Sequence, residues 1–284
     1  MTDAAIVAPG VPGVAMSLVA ALMRGAVSAL AVAALLWVAR RFGRQIAGLL
    51  TGLPIVSGPA LVWLAHDRGL EFAAGAAAGS MAAGVPCALF ALTCAHLAPR
   101  CRRRVAVPVA GASCMAALWL LGRWGGSLPW MLAAVATVCT LCLAAMPRGL
   151  TRTAPTAREA GSLRAGLVTV WTAGVVSGLA SLSAKALGPQ WAGMLSSLPL
   201  VAAAIVFELH RTGCNAQVQD FLRGYIAGLF HRSAFCAVFS LLLVSQGLLA
   251  ALAAALTVTL LLGWGSLAWA QRRNWLAPLS STPR

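Results

Sequence analysis

Two arginines stand inside apolar runs that hold no acid at their depth. Arg24 lies in the run 16–39, and Arg232, preceded by His231, lies in the run 219–245. A guanidinium in hydrocarbon costs several kcal/mol, so it ordinarily faces a cavity or a partner. The six carboxylates sit elsewhere: Asp3, Asp67 and Glu71 at one end of the apolar runs, and Glu159, Glu208 and Asp220 at the other. A cation so placed suits an anionic ligand, a carboxylate or phosphate gripped by the two-pronged guanidinium. Ordinary alternatives exist: Arg24 can snorkel outward along its own stem, and His231 can serve a backbone carbonyl.

A second set of residues frees backbone rather than carrying charge. Pro54 and Pro199 each sit about nine residues into an apolar segment, roughly 14 Å along a helix and close to the middle of a ~30 Å hydrocarbon core. Proline removes a backbone donor and displaces the carbonyl one turn earlier. Thr51, Gly52 and Ser57 surround the first, and Ser196 and Ser197 the second. Backbone freed at that depth must face protein or a water-filled cavity. Transporters use such half-helix ends to hold substrate or ions. The single-helix alternative is a kink used for packing. The symmetric pair favours a site lined by Arg24, Arg232, His231, Thr51, Gly52, Pro54, Ser57, Ser196, Ser197 and Pro199. Beyond the two segments come His66-Asp67-Arg68 and Glu208, His210 and Arg211. His66, Asp67, Glu208 and His210 are candidates for gating or for coupling to a proton or sodium ion. The alternative is a solvated loop of weak surface ion pairs.

The elements that would position these residues are helices in a bilayer. Of the 284 residues, 60% are apolar and 10% charged, a balance that a soluble surface cannot accommodate. The alternating ten-residue segments of a β-barrel are missing from the pattern. Nine helices are expected, at about 16–39, 45–65, 71–98, 105–121, 128–146, 164–187, 190–210, 219–245 and 248–270. The apolar stretch 233–270 is too long for one crossing and is divided at Ser245-Gln246-Gly247. Residues 1–15 hold Pro9 and Pro12 and no basic start, so no cleavable signal is expected.

The net charge of +15 comes from arginines clustered between the runs, which is a topology signal rather than a nucleic-acid signal. With the N-terminus outside and the C-terminus cytoplasmic, sixteen basic residues fall inside and three (Arg68, Arg123 and Lys185) outside. Cys139 and Cys142 form a C-x-x-C spacing that reads as helix packing. No metal site or cofactor is expected.

The chain repeats itself. Residues 45–64 and 190–209 match at eight of twenty positions, Pro54 with Pro199 among them. After a four-residue insertion the match resumes, pairing Phe72, Gly75, Gly79, Cys87 and Phe90 with Phe221, Gly224, Gly228, Cys236 and Phe239. The expected organisation is a tail 1–15, a first membrane repeat 16–122, a linker helix and cytoplasmic loop 123–162, a second repeat 163–270 and a cytoplasmic tail 271–284. One odd helix between four-helix repeats inverts the second across the membrane. The spacings Gly75/Gly79 and Gly224/Gly228 predict close helix packing.

Ala192-Gly193, Pro199, His210, Gly213 and Leu222-Arg223-Gly224 resemble the A-G, P, H, G and L-R pattern of the GlpM-type small bacterial membrane proteins. A fainter echo runs through Ala47-Gly48, Pro54 and His66. The resemblance implies a bacterial inner membrane and names no substrate. The expected function is secondary transport of a small anionic solute by a lipid-embedded chain that can also form homo-oligomers. The alternatives are an accessory or scaffold protein and a membrane enzyme acting on a lipid phosphate, although no H-E-x-x-H or G-x-S-x-G pattern stands in the chain.

Overall fold

The computed structural model describes residues 49–51, 54, 57–123, 126–147, 187–211 and 215–272. Every regular element among them is helical: α1 (Ser57–Arg68), α2 (Leu70–Ala82), α3 (Gly84–Leu97), α4 (Arg103–Gly122), α5 (Leu128–Ala145), α6 (residues 187–196), α7 (Leu200–Arg211) and α8 (Asn215–Arg272). The expected helix 16–39 lies outside the described residues, as does 164–187 apart from its last residue.

Five stretches among the described residues are long and apolar enough to cross a bilayer: Leu70–Leu97, Arg104–Gly122, Leu128–Ala145, Leu187–Phe207 and Asn215–Ser266. The chain is an all-helical, multi-pass membrane protein. Large apolar residues stand exposed along α4 (Val105, Trp119, Leu120), α5 (Trp130, Leu141) and the end of α8 (Leu260, Leu261, Trp264), as on the sides of a membrane bundle. The α2–α3 span is instead central, with 72% of its apolar window buried against 22% in α4 and 17% in α5.

Two breaks shape the bundle. The last apolar stretch has 52 residues, about 78 Å of helix, and it folds back at Gly247. There φ is 79°, a conformation that only glycine adopts without strain. Ala251 and Ala255 return to pack with Phe235, Phe239 and Leu243. The turn falls within the Ser245-Gln246-Gly247 division expected from length. The other break separates α6 from α7 at Ser197–Pro199, where the backbone leaves the helix and tightens into short turns, Ser197 N to Met194 O at 3.2 Å and Leu198 N to Leu195 O at 3.3 Å. Pro199 causes it, since it supplies no N–H to the carbonyl one turn back.

The contacts fix directions. Gly75 faces Pro189, Gly79 faces Gln190, and Ser80 reaches Gly193 and Ser197, so α2 and α6 run the same way. Ser240 bonds Ala74 O, Ser233 faces Gly84 and Arg232 reaches Cys87, so the first limb of α8 (215–246) runs opposite to α2–α3. α1 turns into α2 at Gly69 (φ 90°) and packs back on it, Leu61 and Ala65 beside Ala73 and Ala77.

Two large apolar clusters and a small one, Ala82 with Leu118 and Met194, fill the interior. One gathers Phe90, Cys94, Val206, Phe221, Leu222 and Leu229, and the other Leu61, Met81, Phe235, Phe239 and Leu243. On α8 the first ends at Leu229 and the second begins at Phe235. Between them lie the buried polar residues His231, Arg232 and Ser233.

Candidate functional site

The polar layer is built where α2 and α6 cross. Their backbones touch because the crossing residues lack side chains: a Cβ on Gly193 would collide with the Ala76 carbonyl, and one on Gly79 with the Gln190 carbonyl. That approach lets short side chains bridge the helices. Ser197 Oγ donates to Ser80 Oγ at 3.0 Å, and Ser80 Oγ donates to the Gly193 carbonyl at 3.1 Å. Ser196 stays within its own turn, its Oγ donating to Gly193 O at 2.9 Å.

The broken helix leaves the Ser197 carbonyl without an intrahelical donor. Two side chains from other helices meet it: the Cys87 thiol of α3 at 3.3 Å and Nη1 of Arg232 at 3.4 Å. Nη2 of Arg232 donates to Cys87 Sγ at 3.6 Å. Nε is buried and has no hydrogen-bond partner. Arg232 is 6% exposed and is the one fully buried arginine or lysine among the described residues. No carboxylate among them reaches it. Cys114, Cys139 and Tyr225 complete the surroundings of Cys87 within the first apolar cluster. A permanent cation is thus held in low dielectric by one carbonyl and one sulfur, both long contacts, which leaves much of its desolvation cost unmatched.

The structure brings together Arg232, Ser197 and the break at Pro199. It also brings Pro54, through Gly58, to the same helix. Pro54 is buried and its carbonyl accepts from Gly58 N at 2.7 Å. Gly58 faces the Phe235 ring, one turn of α8 from Arg232. Thr51 is half-buried. Arg24 and Gly52 lie outside the described residues, as do the side chains of Ser57 and Glu208. His231 points away from the guanidinium's partners: its Nδ1 donates to Ala227 O at 2.9 Å, and Nε2 lies 3.4 Å from Ser266 Oγ on the returning limb of α8. His66 and Asp67 are exposed at the end of α1, remote from this layer in sequence and in burial. His210 is half-buried near the end of α7, and its Nδ1 has no partner. Arg223, of the Leu222-Arg223-Gly224 run, ties α8 to the end of α5 by bonds to Met146 O and Pro147 O at 3.1 and 2.9 Å.

Ser80 and Cys87 belong to the site although no charge or breaker in the chain marks them. Cys87, one of several cysteines in apolar runs, is more than a small hydrophobe here. It is the hub between the freed carbonyl and the arginine. Cys139 and Cys142 pack in the first cluster.

A cavity of about 230 Å³ adjoins the crossing without containing Arg232. It is lined by Gly75, Ala78, Gly126, Leu128, Met131, Pro189 and Gln190. Gln190 is seven residues before Ser197, about 10 Å along α6, and its Nε2 is buried without a partner. The glycine contacts at Gly79 and Gly193 separate this cavity from the polar layer.

The arrangement offers an anion a buried guanidinium edge beside a broken helix, with hydroxyl groups one contact away. No family model, no curated protein and no solved structure matches the chain.

Proposed function

We propose that this chain is a secondary transporter of a small anionic solute, bound between two inverted repeats at the layer of Arg232, Ser197 and the two proline breaks. The observation that carries the reading is the Nε of Arg232, buried, cationic and without a partner. A fold keeps an uncompensated charge in its interior at a cost, and a ligand that neutralises it in each cycle is a reason to keep it.

Three features support transport rather than static binding. The repeat-related segments run in opposite directions: α3, with Cys87 and Phe90, opposes the α8 limb with Cys236 and Phe239, and α1 opposes α6–α7. Inversion requires that relation. The polar layer is closed in this structure, and the cavity at Gly75 and Gln190 lies against it across a crossing of glycines, which is how a vestibule behind a thin gate is built. The breaks also sit beside the charge, as in carriers whose half-helix ends complete a midplane site. The proposal includes a bacterial inner membrane, with the N-terminus outside, the C-terminus cytoplasmic, and a proton or sodium ion as coupling ion.

A second reading, an accessory or scaffold protein, is favoured by Nη1 of Arg232 and by Arg223, which both cap carbonyls at helix breaks or ends. Thermal unfolding of the purified protein in acetate, phosphate, sulfate and chloride at fixed ionic strength separates the two. A ligand of the folded state raises Tm by mass action. Transport predicts a dose-dependent rise with at least one anion, absent in Arg232→Met. Flat melting temperatures in every anion, equal in the variant, would sink the anion site and leave the scaffold.

A further inference from the structure

The guanidinium presents one particular edge to its ligand. Nη1, the nitrogen cis to Cδ, is taken by the Ser197 carbonyl. Nε–H and the Nη2 hydrogen on the same side form the side-on fork, in which two parallel N–H bonds match the two oxygens of a carboxylate. On this edge Nε has no partner. The Cys87 sulfur that meets Nη2 is 3.3 Å from the Ser197 oxygen that meets Nη1, so both lie together on the end edge of the guanidinium. A carboxylate on the side-on fork therefore leaves both contacts in place. Cys87 keeps its own bond, because its S–H donates to Ser197 O.

The surroundings set the charge and shape of the ligand. Arg232 is the one fully buried arginine or lysine among the described residues. A monoanion neutralises it, whereas a dianion leaves a net charge in low dielectric. Beyond Cys87 stand Cys114, Cys139 and Tyr225, within the first apolar cluster. A two-donor fork matches the two oxygens of a carboxylate and leaves the third and fourth oxygens of a phosphate or sulfate without a donor from Arg232. The neighbouring His231 is engaged by Ala227 and Ser266 on another face of α8.

We infer that the ligand is a monovalent carboxylate, bound side-on by Nε and Nη2 of Arg232 on the edge that Ser197 and Cys87 leave open. The inference rests on the reading of Arg232 as an anion site, and it excludes tetrahedral dianions and halides as the preferred ligand.

The test uses the full chain in detergent, with acetate, pyruvate and benzoate as carboxylates and with phosphate, sulfate and chloride as competitors. Tm is measured for the parent chain, for Arg232→Lys and for Arg232→Met. A bound carboxylate raises the Tm of the parent with dose. Arg232→Lys, which keeps the charge and loses the fork, abolishes the rise. Should Arg232→Lys fail to fold, Arg232→Met takes its place, and a carboxylate rise that survives there overturns the inference. A rise in Tm with phosphate, sulfate or chloride but not with carboxylates overturns the carboxylate while leaving the anion site standing. A carboxylate effect that survives in Arg232→Lys overturns the fork. Silence from every anion overturns this inference and the anion site together.

Discussion

Arg232 is expensive where it stands. Its two contacts, at 3.4 and 3.6 Å, are long for charge-assisted bonds, and its third kind of donor has no contact. Replacing a poorly compensated buried charge by an apolar side chain of similar length is often neutral or stabilising, by about 1–4 kcal/mol. The expectation for Arg232→Met without ligand is therefore a Tm equal to or above that of the parent. A binding residue that costs stability behaves this way. A fall of about 1 kcal/mol or more would instead mark the bond to the Ser197 carbonyl as a structural cap, since a buried carbonyl that loses a donor and keeps only the weak Cys87 thiol costs up to about 1–3 kcal/mol. At this scale the sequence showed half of the site. Arg232 and Pro199 announce themselves, because a charge and a missing N–H are costly in lipid wherever they fall. Ser80 and Cys87 do not, because serine and cysteine are ordinary in an apolar helix. Only the crossing of α2 with α6 and the return of α8 give them something to bond.

At the scale of elements, the crossing of α2 and α6 carries both the site and its separation from the cavity. A methyl group on Gly79 or Gly193 would meet backbone, which cannot move aside as a flexible side chain can. Gly193→Ala is expected to lower stability by about 1–3 kcal/mol, as overpacking does. It should also part Ser80 from Ser197. Gly111→Ala on α4 is the contrast, since nothing stands within 4 Å of its Cβ. There the helix-propensity gain of about 1 kcal/mol or less is expected to appear unopposed. Thermal unfolding of both variants checks the difference, and equal effects would mean that the helices do not meet at these glycines. The spacing of Gly75 and Gly79 made a close-packing face legible in the sequence. Its partner was not, because Gly193 lies more than a hundred residues away and belongs to no such spacing. The division of the long apolar stretch at Gly247 was legible for a simpler reason: helix rise and bilayer thickness allow no single crossing of that length.

For the whole molecule, the consequence that matters most is which side of the membrane each repeat faces. Inverted repeats place equivalent loops on opposite sides, and the two sets of breaks then meet at the middle; parallel repeats would leave the breaks at unequal depths. Three positions report on this. Residue 66 ends α1 and is exposed. Cys101 stands in the turn between α3 and α4, half-buried. Cys214 lies in the stretch between α7 and α8, equivalent by the repeat to the region just past residue 66. The sixteen basic residues assigned to one side include those around Cys101 and Cys214, and the positive-inside rule puts that side in the cytoplasm. A membrane-impermeant maleimide should therefore label His66→Cys in right-side-out spheroplasts and label Cys101 and Cys214 only in inverted vesicles, with each site resolved by peptide mass spectrometry. The remaining described cysteines are buried and supply a low background. Labelling of His66→Cys and Cys214 from one side would make the repeats parallel. It would remove the symmetry that brings Pro54 and Pro199 to one layer, while the bond between Arg232 and the Ser197 carbonyl, which belongs to the second repeat alone, would remain to be explained as a cap.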